Sequence, residues 1–571
     1  MQSITAEFDV PGEMSDGTVL RANVFRPSGA SDLPVLLTRL PYGKDLPLGS
    51  SILDPIIASR RGYMVVIQDT RGRFTSEGDW YPMRAEREDG RDTVDWASRL
   101  PGADGGVGMY GGSYFGFTQW AAARDRPPAL KAMVPTVTWA DPQNGVVYRD
   151  GAFELGLQAQ WNLTMGGDVL LRRYREDPAQ LAATFGALIH DFDGLGEGGY
   201  ASLPLRDFPP LGRHGVSPAF FDGLRNPMEA TNPMAEVATV AGWRSQVTVP
   251  TFNIGGWYDI FSADTIANFR AMRAAGRPSR LLMGPWSHGG MANPIGQRNF
   301  GFASQAMLID LRSDLMSMQL RWFDHWLRGI DTGMLAEPPV QIFVMGRNRW
   351  RFEDDWPLER AETVPHYLHQ GGRLGTTEPG QELPDGYEYD PANPVTTLGG
   401  ATLMTSEYRS GAYDQREVEA RTDVLTFTSE ELEHDLEVTG PIEVHLWASS
   451  SAPDTDFVAR LSDVFPDGRS FNLTDGIIRA RFRDHRKGMS PSLIEPDRPY
   501  EYVIDLWATS NVFLAGHRIR VAVTSSSFPR WDRNPNTGHD FGADAELSVA
   551  RQRILHDREH PSHVLLPVVP S

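Results

Sequence analysis

Short apolar runs alternate with helix-like stretches along the first third of the chain. The runs are closed by Pro, Gly, Asp or Ser, as strands usually are, and they occupy residues 4–10, 19–25, 35–39 and 64–69. After them, EREDGRDTVDWASRL places apolar side chains at helical spacing, with acids near its start and an arginine near its end. Strands are predicted again at residues 130–137, 247–256 and 279–285. This order predicts a largely parallel sheet with helices on both faces, entered through an antiparallel N-terminal meander.

Two later regions depart from this order. Between about residues 141 and 241, helix-like stretches such as DVLLRRYREDPAQLAATFGALI predict a helical cap inserted into the α/β domain. Beyond Pro338, short alternating strands that begin with QIFVMG are typical of an all-β sandwich or jelly roll. A chain of this length also exceeds what one hydrophobic core accommodates. We therefore predict an α/β domain at residues 1–141 and 242–336, a cap at 142–241 and a jelly-roll domain at 337–571.

Composition narrows the function classes. The chain has 571 residues, a net charge of −20 and no cysteine. It shows no cluster of Lys and Arg of the kind that binds phosphates, so neither a nucleic acid nor a membrane is expected as a partner. The absence of cysteine excludes disulfides, thiolate metal ligands and a cysteine nucleophile, and it fits a reducing compartment. The opening MQSITAEFDVPGEM has no signal-peptide pattern and no apolar run approaches about 18 residues, so we expect a cytoplasmic protein.

The glycine-rich stretch GGVGMYGGSYFG allows two interpretations. Gly106, Gly108 and Gly111 spell the G-x-G-x-x-G of a dinucleotide-binding turn. Gly111, Ser113 and Gly116 spell G-x-S-x-x-G, one place longer than the G-x-S-x-G turn that presents a serine nucleophile. A dinucleotide turn needs its first glycine at the end of a strand, but the preceding SRLPGAD does not form a buried strand. The strand is instead expected at VGMY, with a helix after the serine, and this order favours a nucleophile elbow.

A serine nucleophile needs an imidazole base, and the base needs a carboxylate that fixes its tautomer. In folds with this elbow, the acid and the histidine follow in that order, each in a loop after a later strand. WYDIFS follows the strand FNIGG and supplies Asp259, and WSHGG follows LLMGP and supplies His288. Alone, Asp259 fits a helix N-cap equally well and His288 fits a surface loop. Together with Ser113, their order and positions favour a catalytic triad.

The oxyanion that forms during acyl transfer needs hydrogen-bond donors. One is expected to be the backbone N–H of Tyr114, the residue after the serine. The other is expected from the loop after the third strand, RLPYGK, which contains no HGGG-type glycine run. Tyr42 in that loop is the candidate donor, and a tyrosine that only packs is the alternative.

Several motifs carry a resemblance to a known family. They are PYGK, QDTRGRFTSEG, DGGVGMYGGSYFGFTQW, GWYDIF, GPWSH and QLRWFDHWLRGID, followed by DLEVTGPIEVHLW and the C-terminal LLPVVP. Together they resemble the cocaine esterase family of serine hydrolases, which is related to X-Pro dipeptidyl peptidases and α-amino acid ester hydrolases. The resemblance covers nearly the whole chain. It implies an α/β-hydrolase fold with an inserted helical cap and a C-terminal jelly roll, a triad of Ser113, Asp259 and His288, and an oxyanion hole formed by Tyr42 and Tyr114.

The same resemblance bears on the substrate. In the α-amino acid ester hydrolases, a carboxylate cluster holds the substrate ammonium, partly with acids just after the triad aspartate. Here those positions are Ile260, Phe261 and Ser262, so the cluster is missing. Phe261 instead suggests an apolar, aromatic acyl pocket.

The expected function is therefore that of a serine carboxylic-ester hydrolase that acts on a small-molecule ester without a cofactor. Alternatives are an amide-bond acylase, an X-Pro or α-amino acid ester hydrolase-like peptidase and, from another class, a carbohydrate-binding jelly-roll protein. The H-x-x-E-H pattern at residues 556–560 lacks a third ligand, so no metal site is expected. Asp69 and Arg71 are interpreted as an ion pair that supports the elbow. A homodimer is left open.

Overall fold

The computed structural model describes residues 3–142, 145–225 and 238–570. Residues 143–144 and 226–237 of the predicted cap lie outside the described residues. The strands up to residue 353 are β1 (Ile4–Glu13), β2 (Val19–Pro27), β3 (Leu33–Leu40), β4 (Met64–Asp69), β5 (Ala103–Gly112), β6 (Leu130–Thr136), β7 (Tyr148–Arg149), β8 (Ala152–Phe153), β9 (Thr251–Tyr258), β10 (Ser279–Ser287), β11 (Val340–Val344) and β12 (Arg349–Glu353).

The described α-helices are α1 (Leu48–Ser51), α2 (Pro55–Arg60), α3 (Glu86–Ser98), α4 (Tyr114–Ala123), α5 (Leu155–Arg173), α6 (Pro178–Asp193), α7 (Pro209–Gly212), α8 (Pro218–Arg225), α9 (Ser262–Ala274), α10 (Leu315–Arg328) and α11 (Arg416–Glu419). Short 3₁₀ turns lie at Gly199–Ala201, Arg244–Gln246, Phe302–Ser304, Met334–Ala336, Ala480–Phe482 and His485–Lys487.

A ten-stranded mixed sheet forms the centre of the N-terminal part, in the order β1-β2-β4-β3-β5-β6-β9-β10-β11-β12. As predicted, β1, β2 and β4 pair antiparallel at its entry, and the neighbours from β4 to β11 pair in parallel. Every residue of β3 and β4 is buried, which explains their nearly unbroken apolar runs. Because the carboxyl ends of parallel strands meet at one edge, the loops that follow β3, β5, β9 and β10 are brought together there.

Two strand assignments from the sequence need correction. QIFVMG was assigned to the C-terminal β domain, but β11 pairs in parallel with β10 inside the ten-stranded sheet, and β12 returns antiparallel beside it. A short, mostly apolar run such as this fits a buried strand of either domain, so the pattern alone could not place it. β5 begins at Ala103 rather than at Val107, because Ala103 pairs with Leu33 where the sheet is partly exposed.

Along the chain, the long helices α5 and α6 come between β6 and β9, and they pack against each other. Their apolar residues Leu163, Leu170 and Leu188 belong to one buried cluster with side chains of the sheet and of α4. At the start of α5, the Gly156 N–H donates to the Arg530 carbonyl oxygen at 3.2 Å. A Cβ at Gly156 would lie 2.1 Å from the Met404 sulfur, so only glycine permits this approach. These contacts join the start of α5 to the C-terminal part of the chain.

The C-terminal part is all-β apart from α11 and short turns. Its strands are β13 (Glu362–His369), β14 (Arg373–Gly375), β15 (Asp385–Tyr389), β16 (Leu425–Thr428), β17 (Leu436–Ser450), β18 (Asp456–Val464), β19 (Ser470–Arg479), β20 (Tyr500–Phe513), β21 (Arg518–Thr524), β22 (Ala550–Leu555) and β23 (His563–Val569). They connect in the order β15-β22-β17-β23-β13-β14-β16-β21-β18-β19, with β20 beside β17. The narrower jelly-roll topology stays a prediction.

Across the three described ranges, the helices include none with both the length and the apolar character that a membrane crossing requires.

Candidate active site

Ser113 stands in a sharp turn between β5 and α4. Its backbone has φ 56° and ψ −124°, a region that non-glycine residues rarely adopt. The flanking glycines make the turn sterically feasible: a Cβ at Gly111 would lie 2.3 Å from the Phe115 ring, and one at Gly116 would lie 2.6 Å from Thr138. The close contact with Thr138 accounts for a glycine one place later than in G-x-S-x-G. The strand, turn and helix that the motif predicted are therefore present around Ser113.

The structure brings Ser113, His288 and Asp259 into one hydrogen-bonded chain. Ser113 Oγ lies 3.0 Å from His288 Nε2, and His288 Nδ1 lies 2.7 Å from Asp259 Oδ2. Asp259 directly follows β9 and is fully buried, and its Oδ1 accepts the Phe261 N–H at 2.7 Å. His288 directly follows β10. This geometry suits an imidazole that holds its hydrogen on Nδ1 and takes a proton from the serine at Nε2.

Tyr42 and Tyr114 line the same cavity as Ser113. Desolvation raises the pKa of Tyr42 to about 12, while the Trp161 indole, the charge of Arg73 and the Ser113 hydroxyl act against the rise. The Tyr42 phenol therefore keeps its proton at neutral pH and can donate it in a hydrogen bond. Tyr114 is the first residue of α4, so its N–H is one of those that a helix leaves without an intrahelical acceptor.

Hydrogen bonds of the Tyr114 side chain fix the position of this residue. Its hydroxyl donates to Glu86 Oε1 at 2.9 Å and accepts the Met83 N–H at 2.7 Å. Arg39 pairs with the same carboxylate at 3.0 Å, and all of these side chains are buried. Burial raises the pKa of Glu86, while the nearby Arg39 charge lowers it. Burial together with the Glu86 charge raises the pKa of Tyr114 well above its usual value, so this phenol also stays protonated.

Ser113 opens into a cavity of about 740 Å³ between the sheet edge, α5 and the loop after His288. Its walls are mainly apolar and include Trp139, Leu157, Trp161, Phe261 and Leu315. Cavities of this size and character are typical of sites for drug-sized molecules. Phe261 lies against Trp139 with 5.4 Å between ring centroids, and meets the His288 ring edge-to-face at 5.2 Å.

Charged groups are scarce around this cavity. Among the described residues that line it, Asp314 is the one carboxylate. That carboxylate caps α10, since it accepts the Ser317 N–H at 2.7 Å and the Ser317 hydroxyl at 2.8 Å. The described part of the lining therefore offers mainly apolar surface, and its one carboxylate is engaged at the start of α10.

The expected ion pair between Asp69 and Arg71 is wrong. Arg71 pairs with Asp89 on α3 at 2.9 Å and with Asp16 at 2.8 Å. Asp69 instead accepts the Lys44 N–H at 2.6 Å. Proximity in sequence misled the assignment, because the two side chains leave the turn toward different elements.

Sequence reasoning also missed residues that contact Tyr42. The Trp161 indole N–H donates to the Tyr42 hydroxyl oxygen at 3.1 Å, and Arg73 donates to the Pro41 carbonyl oxygen at 2.9 Å. Arg73 belongs to the TRGR stretch at residues 70–73. The arginines on both sides of its glycine were the available signal. Trp161 lies on α5, and no local pattern tells which face of that helix meets the sheet.

The H-x-x-E-H pattern does not converge on one point. His556 contacts Asp385 at 3.0 Å, whereas His560 contacts Asp557 at 3.2 Å. Within the described ranges, no three histidine, aspartate or glutamate side chains are arranged so that they could hold a metal ion.

Comparison with known proteins covers both parts of the chain. The X-Pro dipeptidyl-peptidase (S15 family) model matches residues 16–290, and the X-Pro dipeptidyl-peptidase C-terminal non-catalytic domain model matches residues 332–565. The chain is 37% identical to cocaine esterase from Rhodococcus sp. (strain MB1 Bresler) in an alignment 583 positions long that covers 99% of each protein.

Solved structures are similar over the same length. An aminopeptidase from a marine sediment archaeon, Thaumarchaeota archaeon, has a TM-score of 0.82 at 26% identity, and an α-amino acid ester hydrolase has a TM-score of 0.81 at 27% identity. Each alignment covers 99% of this chain and 97% of the other. The mixed central sheet with a C-terminal all-β domain is thus a hydrolase fold shared with these proteins.

Proposed function

This chain belongs to the cocaine esterase-like family of serine hydrolases, and we propose that it hydrolyses carboxylic esters through an acyl-enzyme on Ser113. The observation that carries the proposal is the hydrogen-bonded chain from Ser113 through His288 to Asp259 at the wall of a large apolar cavity. A serine hydroxyl is a weak nucleophile at neutral pH, and His288 Nε2 lies within hydrogen-bond distance of it as a general base. The expected substrate is a small ester molecule with an apolar or aromatic acyl group.

In the acylation step, Ser113 Oγ attacks the ester carbonyl carbon while His288 Nε2 takes the hydroxyl proton. The Asp259 carboxylate holds the His288 Nδ1–H and stabilises the imidazolium that results. The carbonyl oxygen becomes an oxyanion that accepts hydrogen bonds from the Tyr42 hydroxyl and the Tyr114 N–H. When the tetrahedral intermediate collapses, the carbon–oxygen bond to the alcohol breaks, and the alcohol leaves with the proton from His288.

Deacylation repeats these steps with water. His288 Nε2 takes a proton from a water molecule, whose oxygen attacks the acyl carbon, and the same two donors hold the second oxyanion. The bond to Ser113 Oγ then breaks, and the proton returns to that oxygen. The carboxylic acid leaves, and the enzyme is restored without any cofactor taking part in these steps.

The nature of the walls supports an uncharged acyl group. A buried ammonium without a carboxylate partner costs several kcal/mol. An aromatic acyl group gains about 25 cal/mol for each Å² of apolar surface removed from water. Phe261 and Trp139 offer such surface next to His288, and Asp314 is already engaged at the start of α10. We assign the acyl group to the pocket that these two aromatic rings form.

A competition between two matched esters tests this assignment. We expect kcat/KM for a phenylacetyl ester to exceed that for the phenylglycyl ester of the same alcohol by at least about tenfold, equivalent to roughly 1.4 kcal/mol. The ratio is measured below the pKa of the phenylglycyl amine, where that ester carries a charge. Above that pKa, the neutral amine serves as the internal control and the ratio should shrink. A preference for phenylglycyl that disappears as the amine loses its charge would instead reveal an anionic anchor.

Phe261→Leu tests the wall itself. The variant keeps an apolar side chain but removes the ring, so we expect it to lower the preference for phenylacetyl over acetyl esters of one alcohol by about three- to tenfold. The ratio of the two kcat/KM values is the measurement, because any disturbance of His288 affects both esters and cancels. Phe269→Leu on α9, a buried phenylalanine away from the cavity, is the matched control and should leave the ratio unchanged. If Phe261→Leu and Phe269→Leu give the same ratio of kcat/KM for phenylacetyl over acetyl esters, the acyl group does not bind against Phe261.

An amide-cleaving enzyme is the second candidate, since the chain is similar to an aminopeptidase along its length. An exopeptidase needs an acidic partner for the substrate α-amino group, and the one carboxylate among the described residues that line the cavity, Asp314, has both oxygens hydrogen-bonded to Ser317. A panel of aryl and alkyl esters, each paired with the anilide of the same acid, distinguishes the two. We expect turnover of esters with little cleavage of anilides, whereas anilide cleavage at a rate comparable to that of the matching ester would favour the peptidase.

A further inference from the structure

A tight turn at residues 69–74 begins at the end of β4, and its first residue, Asp69, contacts the backbone two residues after Tyr42. Asp69 ends β4 and lies opposite Leu40 in the parallel register. Its Oδ1 accepts the Lys44 N–H at 2.6 Å, and its Oδ2 lies 3.7 Å from Lys44 Nζ. The position of the backbone two residues after Tyr42 is therefore set by a carboxylate on the neighbouring strand.

Arg73 in the same turn holds the peptide before Tyr42. Its Nε donates to the Pro41 carbonyl oxygen at 2.9 Å, and its Nη1 donates to the Met165 carbonyl oxygen on α5 at 3.0 Å. Asp168, also on α5, lies 3.5 Å from the Arg73 Nε. One guanidinium thus joins the Tyr42 loop to the helix above the cavity.

Phe74, the last residue of the turn, packs its ring against Gly43, the residue directly after Tyr42. Gly43 has φ +94°, and a Cβ there would lie 3.0 Å from the Phe74 ring. The helix that Arg73 contacts carries Trp161, whose indole N–H donates to the Tyr42 hydroxyl oxygen. Residues of the turn therefore hold the backbone on both sides of Tyr42, and the helix that Arg73 contacts holds its hydroxyl oxygen.

The chemistry of these contacts argues against a role in stability alone. The Asp69 and Arg73 side chains are 0% and 2% exposed, although neither is among the described residues that line the cavity. Removing charged groups from water is costly, and buried ion pairs often add little net stability over apolar residues of the same volume. Buried charges with directed hydrogen bonds do, however, fix the geometry of the groups they contact.

We propose that the turn at residues 69–74 positions the oxyanion donor, with Asp69 and Arg73 as positioning residues that act through Tyr42. This inference rests on the role proposed above for the Tyr42 hydroxyl. The turn holds the loop so that the phenol points at the place where the carbonyl oxygen becomes negative. A displacement of about 1 Å at such a donor is enough to cost up to 10²-fold in rate.

A double-mutant cycle tests the proposal. Asp69→Ala and Arg73→Met are each made in the wild-type chain and in Tyr42→Phe, with kcat expressed per active site after titration with a fluorophosphonate. In the wild-type background, we expect each to lower kcat about tenfold or more and to change KM less than about twofold. In the Tyr42→Phe background, we expect each to change kcat less than about twofold, because the hydroxyl that these residues position is absent.

Two further variants separate positioning from folding. Asp69→Asn retains an oxygen that can accept the Lys44 N–H, so it should recover much of the kcat lost in Asp69→Ala. Arg71→Gln is the matched control in the same turn, since Arg71 pairs with Asp89 and Asp16, and it should leave kcat per active site unchanged. If Arg73→Met does not fold, the Asp69 variants complete the cycle.

Equal losses of kcat in both backgrounds would overturn the positioning role while leaving the role of Tyr42 intact. A Tyr42→Phe variant with unchanged kcat would overturn both, because there would be no oxyanion donor at this residue.

Discussion

Replacement of Ser113 by alanine is expected to lower kcat by about 10⁴-fold or more, with little change in substrate binding. The three triad groups act as one unit, so loss of the nucleophile removes covalent catalysis entirely. His288→Ala should cost about as much, because the serine hydroxyl then has no base within hydrogen-bond distance. The measurement is steady-state kinetics on an ester that the wild-type enzyme turns over, with substrate affinity obtained separately by equilibrium binding.

Covalent labelling supplies the control for this experiment. A fluorophosphonate should label the wild-type protein at Ser113 and fail to label Ser113→Ala. Ser98→Ala, a serine at the end of α3 that donates to the Asp95 carbonyl oxygen, should label and turn over normally. Near wild-type turnover by Ser113→Ala would refute the elbow assignment. A wild-type protein without an activated serine would favour a carbohydrate-binding role instead.

The site could be predicted to the extent that its residues directly follow strands. Asp259, His288 and Ser113 each come immediately after a strand of the parallel part of the sheet, β9, β10 and β5 respectively. Parallel strands bring their carboxyl ends to one edge, so strand order and residue type together were enough to bring these three groups together. The same logic placed Tyr42, which follows β3 by two residues.

Contacts between distant elements could not be predicted in this way. Trp161 contacts Tyr42 through the placement of α5, whose start at Gly156 contacts the C-terminal part of the chain. Helical spacing along α5 identifies an apolar face but not the element that this face meets. The Asp69 carboxylate likewise has a backbone N–H as its partner. Every residue except proline carries such a group, so the sequence does not indicate which backbone N–H a carboxylate will accept.

The position of β11 shows a limit of another kind. Its five residues are buried on both sides, as in a parallel sheet, but so short a run is equally compatible with a β sandwich. Only its pairing with β10 decides to which sheet it belongs. A boundary drawn where short alternating strands begin therefore cannot decide whether the hairpin of β11 and β12 belongs to the first sheet or to the second.

Tyr42→Phe is expected to lower kcat by about 10²- to 10³-fold while KM changes little. A donor aimed at an oxyanion acts mainly in the transition state, and the loss of one costs about 2.7 to 4 kcal/mol. Phenylalanine keeps the edge-to-face contacts of this ring with Tyr114 and Phe115, at 6.4 and 6.2 Å between centroids, so the cavity wall is preserved. The Tyr114 N–H remains as the second donor, which is why activity should fall without vanishing.

A matched control separates this chemistry from packing. Tyr110 on β5 is also fully buried, and its hydroxyl has no hydrogen-bond partner among the described residues, so Tyr110→Phe should leave kcat unchanged. In Tyr42→Phe, the Trp161 indole N–H loses its acceptor, which costs about 1 to 3 kcal/mol of stability if no water replaces it. Thermal unfolding of both variants measures that cost independently of turnover. A Tyr42→Phe protein that unfolds earlier but keeps its kcat would make Tyr42 a packing residue and leave the Tyr114 N–H as the remaining candidate donor.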